Sequence, residues 1–529
     1  MKSAVSIMAV SIIILSALAI ADFSTADVDD TFSDDAFTYR IVSPTEVEII
    51  EFDEGYSDAD LYIPALANDG TADYNVISIN AQIYNDEITT IHIPASIRSI
   101  RDGCFSIDGL ESFVVDPLNT YFESIDDVLY EKRNGVPNKL VKYPTCKPGE
   151  IFDTMPANVS EICASAFSAS DLRVIELNDG IIKIGSAAFY NCTSLETVRS
   201  TLGDNVLPSS VSIIGSSAFS NCEKLSSLIL SENLEYIGAY AFSNCGFTNL
   251  NITMLIEYIG PGTFSDCTKL EGFTSNNFTY IVEDGVLYKT EKDGSREVFA
   301  YPCAKSDKTT YEMPDDVTDI ESYAFSGCSK LQTIVLNDHM MNIPDTAFFD
   351  CKSLETIDLK NVATVGIASF NGCINMRSLE LGKNLISIGD AAFYRCGIES
   401  LVIPSNVLYI GSDAFGSCEN LKHVTIEEGS KATLESDVFI YDRQIEKISI
   451  ESSDVILEEN ALSISAYEDP FTLNVEVVKG YEVPGNATNE YTELNIKIIG
   501  ERPYPWENWI GVFFCALVII GILYGMREV

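Results

Sequence analysis

Apolar and polar positions alternate along this chain in a pattern that repeats. Phenylalanine, usually after alanine, stands at 167, 189, 219, 242, 264, 325, 348, 370, 393, 415 and 439. Most neighbours in that series are 22 to 24 residues apart, with wider steps of 30 and 61. Three residues after the phenylalanine comes cysteine, as in Phe189–Cys192, Phe219–Cys222, Phe242–Cys245, Phe348–Cys351 and Phe393–Cys396. Leucine or methionine follows three further on, except after Cys245 and Cys396, where Cys-Gly shortens the gap by one residue. In the unit Leu225–Cys245 the opening L-x-x-L-x-L has the period of two that marks a strand with one buried face. Ile237-Gly238 then predicts a turn in which glycine takes positive φ, and Ala241-Phe242 brings the chain back to the core. So short a unit cannot bury its own apolar face, so neighbours must stack. The expectation is one long sheet of parallel strands about 4.8 Å apart, with phenylalanines and cysteines in columns beneath it.

The units Ile398–Cys418 (IESLVIPSNVLYIGSDAFGSC) and Met376–Cys396 share the pattern LxxIxIPxxVxxIGxxAFxxC. This pattern resembles the BspA-type leucine-rich repeat, and the resemblance covers roughly residues 85–440. It departs at Cys163 and at Ile343-Pro344, which replace Ile-Gly, and after Phe167 and Phe439, where cysteine is missing. The resemblance implies a β-rich right-handed solenoid with a parallel sheet on one face and short helical or irregular returns. It also implies a surface protein of a host-associated microbe, with adhesion to host or neighbouring-cell proteins, matrix proteins or glycans.

Two segments interrupt the period. Asp126-Asp127-Val128-Leu129-Tyr130 matches Asp284-Gly285-Val286-Leu287-Tyr288, and Tyr143-Pro144 matches Tyr301-Pro302. Asn134-Gly135 and Asp293-Gly294 lie between, and both are hairpin-turn signals. Duplicated β-hairpin inserts are therefore expected near 113–146 and 273–303. Residues 22–84 read as a β-rich cap, and 441–505 as a β-rich stalk or small sandwich stiffened by prolines.

The termini predict location. Lys2, an apolar run to Ala21 and small residues at an A-x-A site describe a secretory signal over 1–21. Trp509–Met526 carries no charge, and its eighteen residues would rise about 27 Å as a helix, enough for a membrane span. The expectation is a type I single-pass surface protein with a span at 506–526, a tail at 527–529 and the repeats outside.

Composition narrows the chemistry. The 529 residues are 46% hydrophobic, which excludes a disordered chain, and the net charge of −46 opposes binding to nucleic acid. Only His92, His339 and His423 are available to general-base chemistry, and no cysteine stands apart from the repeat. An enzyme is not expected, nor a cofactor or metal site. The aspartates between Asp27 and Asp35 lack the spacing of an EF-hand. Stacked at one point of each unit, the cysteines read most simply as buried space-fillers. Neighbours in such a stack would still lie within disulfide reach. Sequons at Asn158, Asn251, Asn277 and Asn486 are candidate glycosylation sites.

The remaining candidate is the outward face of the strands. It presents Thr333, Val335, Thr356, Asp358, Ser378, Glu380, Ser400, Val402, His423 and Thr425, mostly small and able to hydrogen-bond. Large aromatic anchors, which dominate tight protein interfaces, are missing from this stretch. Recognition through this face is the first expectation, and a structural coat or spacer protein without a specific ligand the second.

Overall fold

The computed structural model describes residues 29–499, apart from residue 54, residues 306–307 and residues 466–469. These residues form two compact units. One runs up to Phe242 and includes Tyr258–Gly260; the other takes Ser243–Glu257 and continues from Pro261. Strands and turns make up both, and no helix occurs among the described residues. The expected segments 1–21, 506–526 and 527–529 lie outside them. No described helix is long and apolar enough to cross a membrane.

Each repeat unit is one coil of a β-solenoid, and the coil carries two short strand positions rather than one. The L-x-x-L-x-L positions form a leucine row. The two residues before the repeat glycine form a second, glycine row. The expected single long sheet is thus replaced by two rows, and the leucine row is the more broken one. In the first unit the glycine row belongs to an eight-stranded sheet that ends at Tyr258–Ile259. In the second, six strands from Asn342–Ile343 to Ile456–Leu457 pair in parallel without a gap. The leucine row of the second unit is split into sheets of two, three and five strands.

Close approach explains the glycines. The glycines expected to take positive φ, such as Gly238, do not have it. Instead the Gly238 N–H donates to the Ile214 carbonyl of the preceding coil at 2.8 Å. A Cβ on Gly185, Gly215 or Gly389 would lie 2.7, 2.5 or 2.7 Å from backbone atoms of the coil before. Glycine permits that approach in these coils, while Glu435 and Glu458 hold the same place and make the same backbone bond in the last two strands of the row. Pro344 occupies this position without an N–H, and the six-stranded ladder begins in its coil, at Asn342–Ile343. Positive φ is found elsewhere, before Ala-Phe (Ala187, Ser217, Ala391) and before cysteine (Asn191, Asn221, Arg395).

Those left-handed residues build the return, which was expected to be helical or irregular. It is a run of consecutive turns whose alternate N–H groups bond the next coil: Ala187 to Ser216, Phe189 to Ala218 and Asn191 to Ser220, at 2.7 to 2.9 Å. A helix would spend these donors within itself. Here they link coil to coil, which flattens the return and lets the side chains stack.

The columns follow. Rings of Phe167, Phe189, Phe219 and Phe242 stack in the first unit with centroids 4.9 to 5.7 Å apart. In the second, Phe325, Phe348, Phe370, Phe393 and Phe415 stack at 5.0 to 5.3 Å, with Phe439 at 6.2 Å. The cysteines do more than fill space. Cys192, Cys351 and Cys396 each donate the thiol to the phenylalanine carbonyl one coil back, at 3.0 to 3.1 Å. This satisfies a buried acceptor. Burial pushes the thiols of Cys192 and Cys351 up, and that of Cys267 to about 12, so these three stay protonated and unreactive. One column member, Cys328, is instead disulfide-bonded to Cys303.

The matched segments form antiparallel meanders, Phe122–Ile125, Val128–Arg133 and Val136–Lys142 in one unit and Tyr280–Glu283, Val286–Thr290 and Arg296–Ala300 in the other. The third strand of each enters the glycine row in parallel. Tyr143 and Tyr301 then head the phenylalanine columns, stacked 5.3 and 5.2 Å from Phe167 and Phe325.

The stack of coils extends past both ends of the 85–440 span. Asp60–Tyr62 already pairs in parallel with Thr90–Ile93. In the described part of 441–505, expected as stalk or sandwich, Lys447–Ile450, Phe471–Val478 and Thr492–Ile499 continue the leucine row. The signature is hidden there because Leu462 takes the place of phenylalanine. Its N–H donates to the Ala487 carbonyl, as those of Phe189 and Phe393 donate to the alanine carbonyls of Ala218 and Ala414 one coil on.

Candidate functional site

Alternation fixes the outward face. Ile334, Leu379, Leu401 and Val424 are buried, while Val335, Thr356, Asp358, Ser378, Glu380, Ser400, Val402 and His423 are exposed and Thr333 and Thr425 half-buried. All ten therefore lie on one face of the second unit. They do not form one uniform surface. Parallel pairing runs from Thr310–Glu312 through Thr333–Val335 to Thr356–Ile357, stops at Ser378–Leu381, and restarts at Ser400–Ile403. The restart coincides with the shortened Cys396-Gly397 coil. A Cβ on Gly397 would collide with the Ile374 carbonyl, and the strand that follows, Ser400–Ile403, pairs only with the strand after it.

Two adjoining depressions occupy this interruption. The first, about 590 Å³, is lined by Thr333, Val335, Thr356, Asp358, Ser378 and Glu380, with Lys360 at its side. The second, about 600 Å³, shares Lys360, Glu380 and Gly382 with it and adds Lys383, Val402, Pro404 and Glu427. The structure thus brings seven of the ten expected residues to the paired depressions. Ser400, His423 and Thr425 lie beyond them on the next strands, where Ser400 faces His423 and Val402 faces Thr425 in register.

The depressions mix charge and hydroxyls. The Lys360 ammonium lies 3.3 Å from Asp358, and both side chains are more than half exposed, so this pair is weak and easily exchanged for a ligand contact. Thr356 and Thr333 share a hydroxyl hydrogen bond of 3.1 Å across the strands. Glu427 accepts from the Ser405 N–H at 3.1 Å. His423 lies 3.8 Å from Glu446. Such an open trough offers hydrogen bonds and compensating charges to a polar surface.

Sequence reasoning missed Lys360, Lys383 and Glu427 because it followed only the strand positions, and these stand just past the strand ends. It also missed an aromatic row in the first unit. Tyr62, His92 and Val114 are in register, Tyr62 is 62% exposed, and its ring stacks on His92 at 4.1 Å. The expected outward face starts at Thr333, beyond these strands.

Of the sequons, Asn158, Asn251 and Asn486 are exposed. Asn277 is buried. Its amide donates to the carbonyls of Thr253, Met254 and Ile256, so the folded state withholds its nitrogen from modification. Asn337 and Asn178 play the same part, each donating to two carbonyls of the turn one coil back. These asparagines are structural clamps. Among the described residues no cluster of histidine, cysteine and acidic groups could hold a metal ion.

Among solved structures the chain is similar to a leucine-rich cell surface protein from Faecalibacterium prausnitzii. The identity is 19%, over 81% of this chain and 96% of that one, with a TM-score of 0.41. The pneumococcal vaccine antigen PcpA gives 19% over 90% and 99%, with a TM-score of 0.44. A leucine-rich repeat protein from Bacteroides ovatus gives 18% over 88% and 99%, with a TM-score of 0.28. No curated protein matches the chain. The family profile described as BspA type leucine rich repeat region does match, in six copies over residues 70–132, 151–201, 199–292, 295–366 and 359–468. With most of its length in those matches and every matched region built of stacked coils, the chain belongs to the BspA-type leucine-rich repeat family.

Proposed function

We propose that this is a cell-surface recognition protein that binds a host or neighbouring-cell protein, matrix protein or glycan on the outward leucine row between Thr333 and Glu427. One observation carries the reading. The strand ladder is interrupted where exposed hydroxyls, Asp358, Glu380 and the lysines Lys360 and Lys383 line two adjoining depressions. Placement at the surface draws on the apolar stretches at 1–21 and 506–526. The reading is non-enzymatic, with recognition by many weak polar contacts strengthened by copy number. The test displays the full-length protein on cells and probes it with matrix proteins and a glycan panel. Glu380→Arg with Lys360→Glu should abolish saturable binding. Binding that persists in that variant removes this face as the site.

A structural coat or spacer role is the second reading. It is favoured by the absence of any aromatic side chain from the lining of the two depressions. No saturable binding to any probe would leave that reading standing.

A further inference from the structure

The last strand, Thr492–Ile499, pairs in parallel with Phe471–Val478 along its whole length. No described strand pairs its other edge. An edge of eight residues left unpaired among the described residues is a template for another strand, and this one contains no proline, glycine or bulge to blunt it. Ile496 and Ile498 are 48% and 62% exposed.

The charges at this edge are unbalanced. Glu476 accepts from both Lys447 and Lys497, at 2.9 Å each. Two ammonium groups on one carboxylate leave a positive charge unmatched, at the edge of a chain whose net charge is −46. Glu493 lies on the same face as Lys497, four residues away along the strand.

The sequence of the strand is complementary to itself. Turned antiparallel about Asn495, it places Glu493 of one copy opposite Lys497 of the other, twice. It also sets Leu494 against Ile496, Thr492 against Ile498, and Asn495 against itself. A slip of half a register sets Lys497 against Leu494 and loses both pairs, and parallel pairing aligns like charges. We propose that two copies of this chain join through the outer edges of Thr492–Ile499, antiparallel and centred on Asn495, into one continuous sheet. The contact is isologous, so it closes at two copies. Repulsion between the acidic bodies is screened beyond about 8 Å at physiological salt, while the two Glu–Lys pairs act at contact. The inference stands apart from the strand-face reading above.

The test uses the full-length chain with Cys146→Ser, which removes an exposed thiol. Under mild oxidation Asn495→Cys should give one cross-linked dimer, because facing Cα atoms of an antiparallel pair lie within disulfide range. Asn474→Cys, one strand further in, should not. Glu493→Lys alone and Lys497→Glu alone should each cut the cross-linked fraction by about tenfold or more, and the double swap should restore it. The proposal is overturned if Asn495→Cys stays monomeric, as it would were residues 500–529 to cover the edge. Equal cross-linking through Asn474, or a double swap that fails to rescue, overturns it as well.

Discussion

The two strand rows of each coil are built from the same backbone hydrogen bonds but under different constraints. In the glycine row, coils approach so closely that no Cβ fits at Gly185, Gly215 or Gly389. The ladder there runs unbroken over six strands in the second unit. In the leucine row the pairing is less continuous. The ladder breaks at Ser378–Leu381, and a trough lies at the break. One row carries register, and the other is left free to vary. A solenoid can therefore change its outward face without losing its stack, since each coil needs its neighbour only where backbone and column meet.

The largest expected effect lies in the glycine row. Gly389→Val places a branched side chain where the first carbon alone would be 2.7 Å from the Gly366 backbone, and it disturbs the bond from the Gly389 N–H to the Val365 carbonyl. The expected loss is about 3 kcal/mol, seen as a lower urea midpoint and as lost amide protection in the coils on either side. A midpoint within error of the wild type would show that the close approach is not what makes this row continuous.

The next effect sits where the thiol column ends. Asp442 stands three residues after Phe439, in the place of the column cysteine, and is fully buried. Its Oδ1 accepts from the Cys418 N–H at 2.5 Å, while Oδ2 finds no hydrogen-bond partner among the described residues. Burial holds this carboxyl well above the usual carboxylate range. Its folded pKa exceeds its unfolded one, so its contribution to stability is complete at acid pH, below the unfolded value. It is lost as pH rises through the folded value. Asp442→Cys should therefore raise stability at neutral pH by about 1–3 kcal/mol. The gain should shrink as thermal unfolding is followed down to pH 4. A gain independent of pH would mean that the carboxyl is not the cause.

A smaller effect is expected inside the column. Cys396→Ala keeps most of the volume but removes the thiol that donates to the Phe370 carbonyl at 3.1 Å. The expected cost is about 1 kcal/mol, and Cys396→Ser, which keeps a donor, should recover part of it. If serine and alanine cost the same in urea melts, the thiol acts as volume alone.

The contrast between the rows also explains what the sequence made legible. Period, columns and the outward alternation from Thr333 to Thr425 follow from side chains repeating at fixed spacing, and they stand in the sequence as letters. The glycine row was harder to read, because two residues such as Ser387–Ile388 are too short to show a strand period. Gly238 signals close approach and positive φ with the same letter. The trough could not be read from strand positions, since Lys360, Lys383 and Glu427 lie just past them. The C-terminal coils were hidden by Leu462 in the phenylalanine place. Hydrogen bonding, not residue identity, marks that position.

The smallest expected effect on stability is the one that most sharpens the contrast. Thr356 and Asp358 point outward from the leucine row and contact only each other's surroundings: the Thr333 hydroxyl in one case, Lys360 and its N–H in the other. Thr356→Val with Asp358→Ser should shift the urea midpoint by no more than about 0.5 kcal/mol, because exposed pairs of this kind contribute little. If recognition resides in this face, the same double variant should nonetheless lose binding by displayed full-length protein. Stability and binding would then be separable on a single strand, which no substitution in the glycine row could achieve. A double variant that unfolds would instead show that the outward face shares the burden of the stack, and the division between the two rows would fail.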